Sequence, residues 1–158
     1  MIKILFICLG NICRSPMAEF IMRDIVAKAG LSEEFEIASA ATSAWEIGNQ
    51  VYPPARQKLE EHGISCAGKT ARQMTPLDYE RYDHLIVMDH SNLQDALRIA
   101  GEDPQHKISM LMDATARPRD VADPWFTGDF ESTWQDVLEG CTALLEKLRP
   151  QARIKTME

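Results

Sequence analysis

The sequence predicts a single α/β domain, built on a parallel sheet with helices on both faces. The chain has 158 residues, of which 45% are hydrophobic and 26% charged, which is typical of one globular domain. Short apolar runs of the kind that form buried strands alternate with longer segments whose apolar residues recur at helical spacing. This alternation favours parallel strands joined by helical crossovers. We expect the domain to cover residues 1–149 and a short polar tail to cover 150–158.

Four apolar runs rich in β-branched and aromatic residues predict the strands, over residues 2–7, 35–41, 84–88 and 107–112. The first run is too short to span a membrane, and no small-residue cleavage site of a signal peptide follows it. We therefore interpret it as a buried strand.

Helix start and stop signals bound the helical segments. Ser15 is a good N-cap and Pro16 suits the first helical position, so they predict a helix that Gly30 ends. Ser91 is expected to cap a later helix, and a loop rich in Pro and Asp is expected over 117–128. The predicted helices cover residues 16–29, 53–61, 74–81, 92–100 and 130–148.

Charge and cysteine content argue against several classes of protein. A net charge of -7 disfavours binding to nucleic acid or to an anionic membrane, so we expect neither partner. Four cysteines are too few for a disulfide scaffold and favour a reducing, cytoplasmic location. The four histidines have no ligand spacing with cysteines or acids, so no metal site is expected. A monomer is the default expectation.

The segment Cys8-Leu9-Gly10-Asn11-Ile12-Cys13-Arg14-Ser15-Pro16 joins the first predicted strand to a helix N-terminus. Such a junction directs several backbone N–H groups at one point and adds the positive end of the helix dipole, which predicts an anion site. Gly10 and Asn11 are the residues best able to take positive φ, as a tight concave loop requires. The loop follows the carboxyl end of strand one, where α/β proteins bind ligands.

Two side chains make this anion site reactive. Cys8 begins the loop, where N–H dipoles, the helix and Arg14 would stabilise its thiolate as a nucleophile, and Ser15 can donate its hydroxyl to the same sulfur. The planar guanidinium of Arg14 can hold two phosphate oxygens in front of Cys8. The alternative is that Cys8 is an inert core residue, which leaves a cation at a helix start unexplained.

Asp123-Pro124-Trp125, in the loop after the fourth strand, supplies a candidate general acid. Breaking a phosphate ester of a phenol needs a proton on a leaving group of pKa about 10, and Asp123 could deliver it. Pro124 stiffens the loop and favours an extended Asp123, although Asp-Pro alone is more often a turn. Three nearby acids could in principle do the same chemistry: Asp113, Asp120 and Asp129.

These two motifs, with Ala71-Arg72-Gln73 and residues 88–93, resemble those of the low-molecular-weight protein tyrosine phosphatases, and the resemblance extends over residues 2–148. It implies a phosphatase without metal or cofactor, which hydrolyses phosphotyrosine in proteins through a phosphocysteine intermediate. It also implies a four-stranded parallel sheet in the order 2-1-3-4, with the phosphate-binding loop at the end of strand one.

The resemblance also implies a role for each matching residue. Cys8 is expected to be the nucleophile, Arg14 the phosphate-binding arginine, and Asp123 the acid that protonates tyrosine and then activates water. Ser15 would stabilise the departing thiolate, and Ser39 would hydrogen-bond the asparagine that shapes the loop. The residues expected to bind phosphate or substrate are Leu9, Gly10, Asn11, Ile12, Cys13, Ser15, Trp45 and Trp125, the last two as aromatic walls.

Two positions depart from the family pattern. Family members often have a histidine, tied to the loop asparagine, where this chain has Gly68-Lys69-Thr70. Eukaryotic members often carry two regulatory tyrosines where this chain has Trp125 and Phe126, so that regulation does not transfer. For Cys13, packing beneath the loop and a reversible disulfide with Cys8, which the resemblance implies, both remain open.

Three other functions share features with this sequence. Protein arginine phosphatases resemble this loop but typically have threonine at the position of Ile12, whose apolar side chain favours a flat aromatic substrate. Arsenate reductases share the fold and the loop but need two further cysteines close together on a mobile segment, and no such pair exists among Cys13, Cys66 and Cys141. A non-enzymatic phosphate-binding module would have no need for Cys8 or Asp123.

Overall fold

A parallel sheet lies at the centre of the computed structural model, which describes residues 1–157 and the side chains of residues 1–149. Its strands are β1 (Ile2–Cys8), β2 (Phe35–Ala41), β3 (His84–Val87) and β4 (Ile108–Met110). They stand in the order β2-β1-β3-β4 and every pair is parallel, which confirms the predicted topology. The register aligns Cys8 with Ala41, so β1 and β2 end together.

Helices cover both faces of the sheet. Within residues 1–157 they are α1 (Arg14–Lys28), α2 (Pro53–Glu61), α3 (Pro76–Arg81), α4 (His90–Ala100), α5 (Pro124–Thr127) and α6 (Phe130–Met157). The bounds of β2 and α2 are those predicted from the sequence. Among the described residues, no helix combines the length and the apolar character needed to cross a membrane.

Two predicted helix caps are wrong, because other residues occupy the capping positions. α1 begins at Arg14, so Ser15 lies inside the first turn and its hydroxyl contacts Cys8 instead. α4 begins at His90 and is capped by Asp89, whose carboxylate accepts a hydrogen bond of 2.7 Å from the backbone N–H of Asn92. Ser91, the predicted cap, therefore lies one position inside that helix.

Three predicted bounds near the C-terminus also differ. β4 ends at Met110 because the Met110 N–H donates to the Asp113 carboxylate, and Leu111–Ala114 forms a 3₁₀ helix. α5 forms inside the predicted loop, since Asp123 caps it and Pro124 opens it. α6 continues beyond residue 148, because adding residues to a helix already formed costs little, and it includes most of the predicted tail. Glu158 lies outside the described residues.

The central strand β1 is buried on both faces. Ile4 and Phe6 belong to the apolar layer that includes α1 and α6, whereas Leu5 and Ile7 belong to the layer that includes α4. Each such side chain stabilises the fold by about 1.5–3 kcal/mol when fully buried. Cys8 continues the alternation of Ile4 and Phe6, so its side chain lies on the α1 side of the sheet.

The carboxyl ends of the parallel strands meet at one edge of the sheet. There the backbone N–H of Thr42, after β2, donates to the Cys8 carbonyl at 2.9 Å. The N–H of Val121 donates to the carbonyl of Met88, after β3, also at 2.9 Å. The second bond brings the chain around Asp123 to the edge where β1 ends.

Candidate active site

The loop between β1 and α1, residues 9–13, is held in its concave shape by Asn11. Asn11 has φ 59°, the left-handed conformation that asparagine tolerates better than most residues. Its Nδ2 donates to Ser15 Oγ at 2.7 Å and to Ser39 Oγ at 2.9 Å, and its Oδ1 accepts from the Arg72 N–H at 3.2 Å. These bonds fix the side chain from three directions. Gly10, by contrast, does not take positive φ.

The sulfur of Cys8 lies at the base of this loop, almost fully buried. Backbone N–H groups of Asn11 and Ser15 donate to it, with distances of 3.3 and 3.4 Å to the nitrogens. Ser15 Oγ lies 3.0 Å away. That oxygen accepts from the Asn11 amide and from the Cys8 thiol, and the serine proton lies within reach of the Ala40 carbonyl at 3.4 Å. Once Cys8 is ionised, the same hydroxyl can turn and donate to the sulfur. These dipoles stabilise negative charge on Cys8.

Arg14 is buried and held by several acceptors. One guanidinium nitrogen donates to Asp89 Oδ2 and to the Val121 carbonyl, both at 2.7 Å. The other lies 3.4 Å from Asp123 Oδ2. Burial works to lower the pKa of Arg14, but negative charge on Cys8 and the bond to Asp89 outweigh it, so the pKa is raised. The guanidinium is therefore a permanent cation beside Cys8.

Asp123 is fixed in what we call the acid turn, residues 123–128. Its Oδ1 accepts a hydrogen bond of 3.0 Å from the Trp125 N–H, and its Oδ2 faces Arg14. The three other candidate acids are engaged elsewhere. Asp113 accepts from the Met110 N–H, Asp120 pairs with His90, and Asp129 accepts from Ser132, whose bonds lower the pKa of Asp129.

A cavity of about 230 Å³ opens between the loop and the acid turn. The predicted site residues that line it are Cys8, Leu9, Gly10, Ile12, Cys13, Arg14, Trp45, Asp123 and Trp125. Trp45 and Trp125 line the cavity and are largely exposed to solvent. The other three, Asn11, Ser15 and Ser39, are buried and do not line the cavity. Glu46 and Phe126 also line it and were not predicted.

A buried polar network behind the loop involves the position at which the family histidine is missing. Ser39 donates to Glu19 Oε1 at 2.5 Å, and Glu19 lies buried in α1. Lys69 Nζ lies 3.1 Å from the same carboxylate oxygen and donates to the Ser39 carbonyl at 3.0 Å. Arg23 pairs with the other oxygen of Glu19 at 2.7 Å. Lys69 therefore supports the serine that contacts Asn11.

Sequence reasoning missed Glu19, and it assigned no role to Asp89. Glu19 lies four positions after Ser15, which puts both on one face of α1, and that spacing was the available signal. Asp89 lies within the family-like stretch 88–93, which was noticed without a role. Its two carboxylate oxygens have different partners, since Oδ1 caps α4 and Oδ2 binds Arg14.

Cys13 lines the cavity and is a free thiol, as are Cys8, Cys66 and Cys141. Burial raises the pKa of the Cys13 thiol, and negative charge on Cys8 and Asp123 acts in the same direction. Cys13 therefore stays protonated at neutral pH, which leaves Cys8 as the sulfur suited to attack. Cys141 is fully buried in the core, where burial raises its pKa as well.

A buried cysteine at the base of a concave loop, in one cavity with an arginine and an aspartate, is the arrangement expected of a cysteine-dependent phosphatase. The family model described as low molecular weight phosphotyrosine protein phosphatase matches residues 3–154. The chain belongs to this family, which confirms the resemblance seen in the sequence.

Relatives and solved structures agree with that assignment. Low molecular weight protein-tyrosine-phosphatase YfkJ of Bacillus subtilis is 39% identical over 156 residues, covering 98% of this chain and 100% of that protein. Its crystal structure superposes with a TM-score of 0.92 over 96% of each chain, at 40% identity. The human low molecular weight phosphotyrosine protein phosphatase is 37% identical over 150 residues, 92% of this chain and 94% of that protein.

A protein named for a different phosphatase activity has the same fold. DARP, a Drosophila arginine phosphatase, superposes with a TM-score of 0.84 at 28% identity, covering 92% of this chain and 97% of that one. The fold alone therefore does not separate the two substrate classes, and the distinction rests on side chains in the cavity.

Proposed function

We propose that this chain hydrolyses phosphotyrosine in proteins, without a metal ion, through a phosphocysteine intermediate on Cys8. One observation carries the proposal. The Cys8 sulfur accepts from two backbone N–H groups and lines the same cavity as Arg14 and Asp123. A nucleophile, a cation for the phosphoryl oxygens and an acid for the leaving group thus share one site.

The first chemical step forms the covalent intermediate. Phosphoryl oxygens bind the N–H groups of the loop and the guanidinium of Arg14, which directs phosphorus at the sulfur. The Cys8 thiolate attacks, so that a P–S bond forms as the bond from phosphorus to the tyrosine oxygen breaks. Asp123 gives its proton to that oxygen, and tyrosine leaves as a neutral phenol.

The second step returns the enzyme to its starting state. Asp123, now ionised, takes a proton from a water molecule that attacks phosphorus. The P–S bond breaks and inorganic phosphate is released. The electron pair returns to Cys8, where the N–H groups of Asn11 and Ser15 and the Ser15 hydroxyl stabilise the thiolate as a leaving group.

The walls of the cavity support an aromatic substrate. A phenyl ring entering between Trp45 and Trp125 would meet Ile12 near the loop, whereas the side chain of phosphoserine is too short to bring its phosphorus to Cys8. Arginine phosphatase activity is the second candidate, because DARP has this fold. The apolar side chain of Ile12 favours the phenyl ring over a guanidinium, which is polar and must be hydrogen-bonded when buried.

Peptides carrying phosphotyrosine, phosphoserine or phosphoarginine, compared side by side with a chelator present, test the assignment. We expect phosphotyrosine to be hydrolysed with the highest kcat/KM. Equal rates with phosphoserine would refute selection of a phenyl ring by Ile12, Trp45 and Trp125. A preference for phosphoarginine would establish the second candidate.

We further propose that residues 1–149 suffice as the catalytic domain. The protein is also proposed to act in the cytoplasm, as a monomer, on proteins that carry phosphotyrosine. The net charge of -7 gives no attraction to nucleic acid or anionic lipid, and the four cysteines are free thiols. Light scattering of the full chain should give the mass of one protomer, and a dimer mass would overturn the monomer.

A further inference from the structure

We propose that Tyr52 is a positioning residue for Asp123, because its ring holds Trp125 and thereby fixes the acid turn over the cavity. The inference rests on the proposed function and adds a residue that lies outside both sequence motifs. Tyr52 connects the two parts of the site that the chain itself keeps more than a hundred residues apart.

The backbone of Tyr52 is fastened to the phosphate-binding loop. Its N–H donates to the carbonyl of Ile12 at 2.9 Å. Pro53 follows and restricts Tyr52 to an extended conformation, seen as φ -57° and ψ 135°. α2 begins at Pro53, so the chain after Tyr52 is held as well. The ring of Tyr52 is therefore presented from a rigid position next to the loop.

The ring of Tyr52 contacts the acid turn and the helix that follows it. Its centroid lies 4.8 Å from the Trp125 ring, tilted by 58°, and 6.0 Å from the Phe130 ring, stacked at 28°. Tilted and offset rings at such distances attract each other beyond the burial of their area. Phe130 begins α6 and is separated from the acid turn by Asp129 alone. The Tyr52 ring therefore contacts the turn itself at Trp125 and the chain just beyond the turn at Phe130.

Trp125 passes this restraint to the carboxylate of Asp123. Its N–H binds Asp123 Oδ1 at 3.0 Å, and the Gly128 N–H closes the turn on the Pro124 carbonyl at 2.8 Å. These bonds tie the backbone of Trp125 to the Asp123 carboxylate, so we expect that releasing the Trp125 ring also loosens Asp123.

The contact between Asp123 and Arg14 is a weak alternative anchor. It is 3.4 Å long, and the same guanidinium is needed by the phosphoryl oxygens when substrate binds. Two acceptors already hold the other nitrogen of Arg14. Substrate therefore competes for the nitrogen that faces Asp123, which leaves the Tyr52 ring to keep the acid in place during the reaction.

Proton transfer is sensitive to such placement, since an error of about 1 Å can cost on the order of 10²-fold in rate. Replacing Tyr52 by alanine removes the ring, whereas phenylalanine keeps it. For Tyr52→Ala we expect roughly tenfold loss of kcat/KM on phosphotyrosine and a smaller loss of kcat/KM on p-nitrophenyl phosphate, whose leaving group needs no proton. kcat/KM is compared because it reports formation of the phosphocysteine, the step in which the leaving groups differ. Tyr52→Phe should restore most of the lost rate, and the acidic side of the pH profile of kcat should change in the alanine variant alone.

Two further measurements separate positioning from a general loss of structure. The inhibition constant of inorganic phosphate should be unchanged in Tyr52→Ala, because the loop remains, while amide hydrogen exchange should accelerate in residues 123–128. Adding Tyr52→Ala to Asp123→Asn should produce little additional loss. Equal losses of kcat/KM on both substrates, or unchanged exchange in the acid turn, would overturn the role of Tyr52 alone. A wild-type enzyme inactive on phosphotyrosine would overturn the proposed function and this role with it.

Discussion

The proposed reactivity of the Cys8 sulfur depends on groups that remain when the sulfur is replaced. In Cys8→Ser the N–H groups of Asn11 and Ser15 and the guanidinium of Arg14 still form the anion site. A serine hydroxyl does not ionise near neutral pH, so we expect turnover to vanish while inorganic phosphate still binds. Calorimetric titration with phosphate measures the second property, and a burst of product in this variant would contradict the covalent mechanism.

Arg14 is a site where lysine is not a conservative replacement. The guanidinium bridges Asp89, Val121 and the cavity at once, which the single ammonium of lysine cannot do. We expect Arg14→Lys to lower kcat by on the order of 10² or more, because preorganised charge stabilisation is lost in the transition state. Steady-state kinetics measure this, and a rate within a few-fold of wild type would make Arg14 structural.

Asp123 differs from its acidic neighbours in lying next to Arg14 at the cavity. In Asp123→Asn, kcat/KM for phosphotyrosine should fall far more than kcat/KM for p-nitrophenyl phosphate, since nitrophenolate leaves unassisted in the first step. Asp120→Asn and Asp129→Asn are matched controls, because these carboxylates bind His90 and Ser132 instead. A leaving-group dependence that appears in Asp120→Asn would refute the assignment of Asp123.

At the scale of secondary-structure elements, the loop between β1 and α1 depends on residues that are distant in sequence. Lys69 and Arg23 share the buried carboxylate of Glu19, which in turn holds Ser39 beneath Asn11. Lys69→Met should therefore destabilise the protein by about 1–3 kcal/mol and lower kcat, since a buried charge loses a partner. Urea unfolding and kinetics measure both effects. Lys69→Arg, which keeps the cation, should lose less, and an unchanged Lys69→Met protein would show that Arg23 suffices.

The helices and strands also show which features of the fold local sequence signals can predict. β2 and α2 were predicted with their observed bounds, because their signals are local. An apolar run marks the strand, and the helix begins at Pro53-Pro54 and ends shortly before Gly63. The predictions that Ser15 and Ser91 cap helices were wrong. Whether a hydroxyl caps a helix depends on competing partners, such as Cys8 in the case of Ser15. The network of Glu19, Ser39 and Lys69 brings together positions up to 50 residues apart, and no local pattern encodes such a meeting.

At the scale of the whole molecule, stability depends on how closely α6 approaches the end of the sheet. A Cβ added to Gly140 would lie 2.5 Å from Cγ of Leu111, a buried side chain that has little room to move. Glycine to alanine usually stabilises a helix interior, but here we expect Gly140→Ala to destabilise by about 1–3 kcal/mol through overpacking. Thermal unfolding measures this with Thr142→Ala as an exposed control, and a raised Tm would contradict the close packing.

The double use of Asp89 has a consequence for anyone who engineers this enzyme. One oxygen of this carboxylate closes α4 and the other orients Arg14, so a randomised library at position 89 would mix folding failures with catalytic failures. Asparagine separates them, since its amide oxygen can still cap the helix but carries no charge for the guanidinium. A screen that scores only activity would therefore discard well-folded Asp89→Asn molecules, and one that scores only folding would retain them without noticing that their arginine had lost its ionic partner.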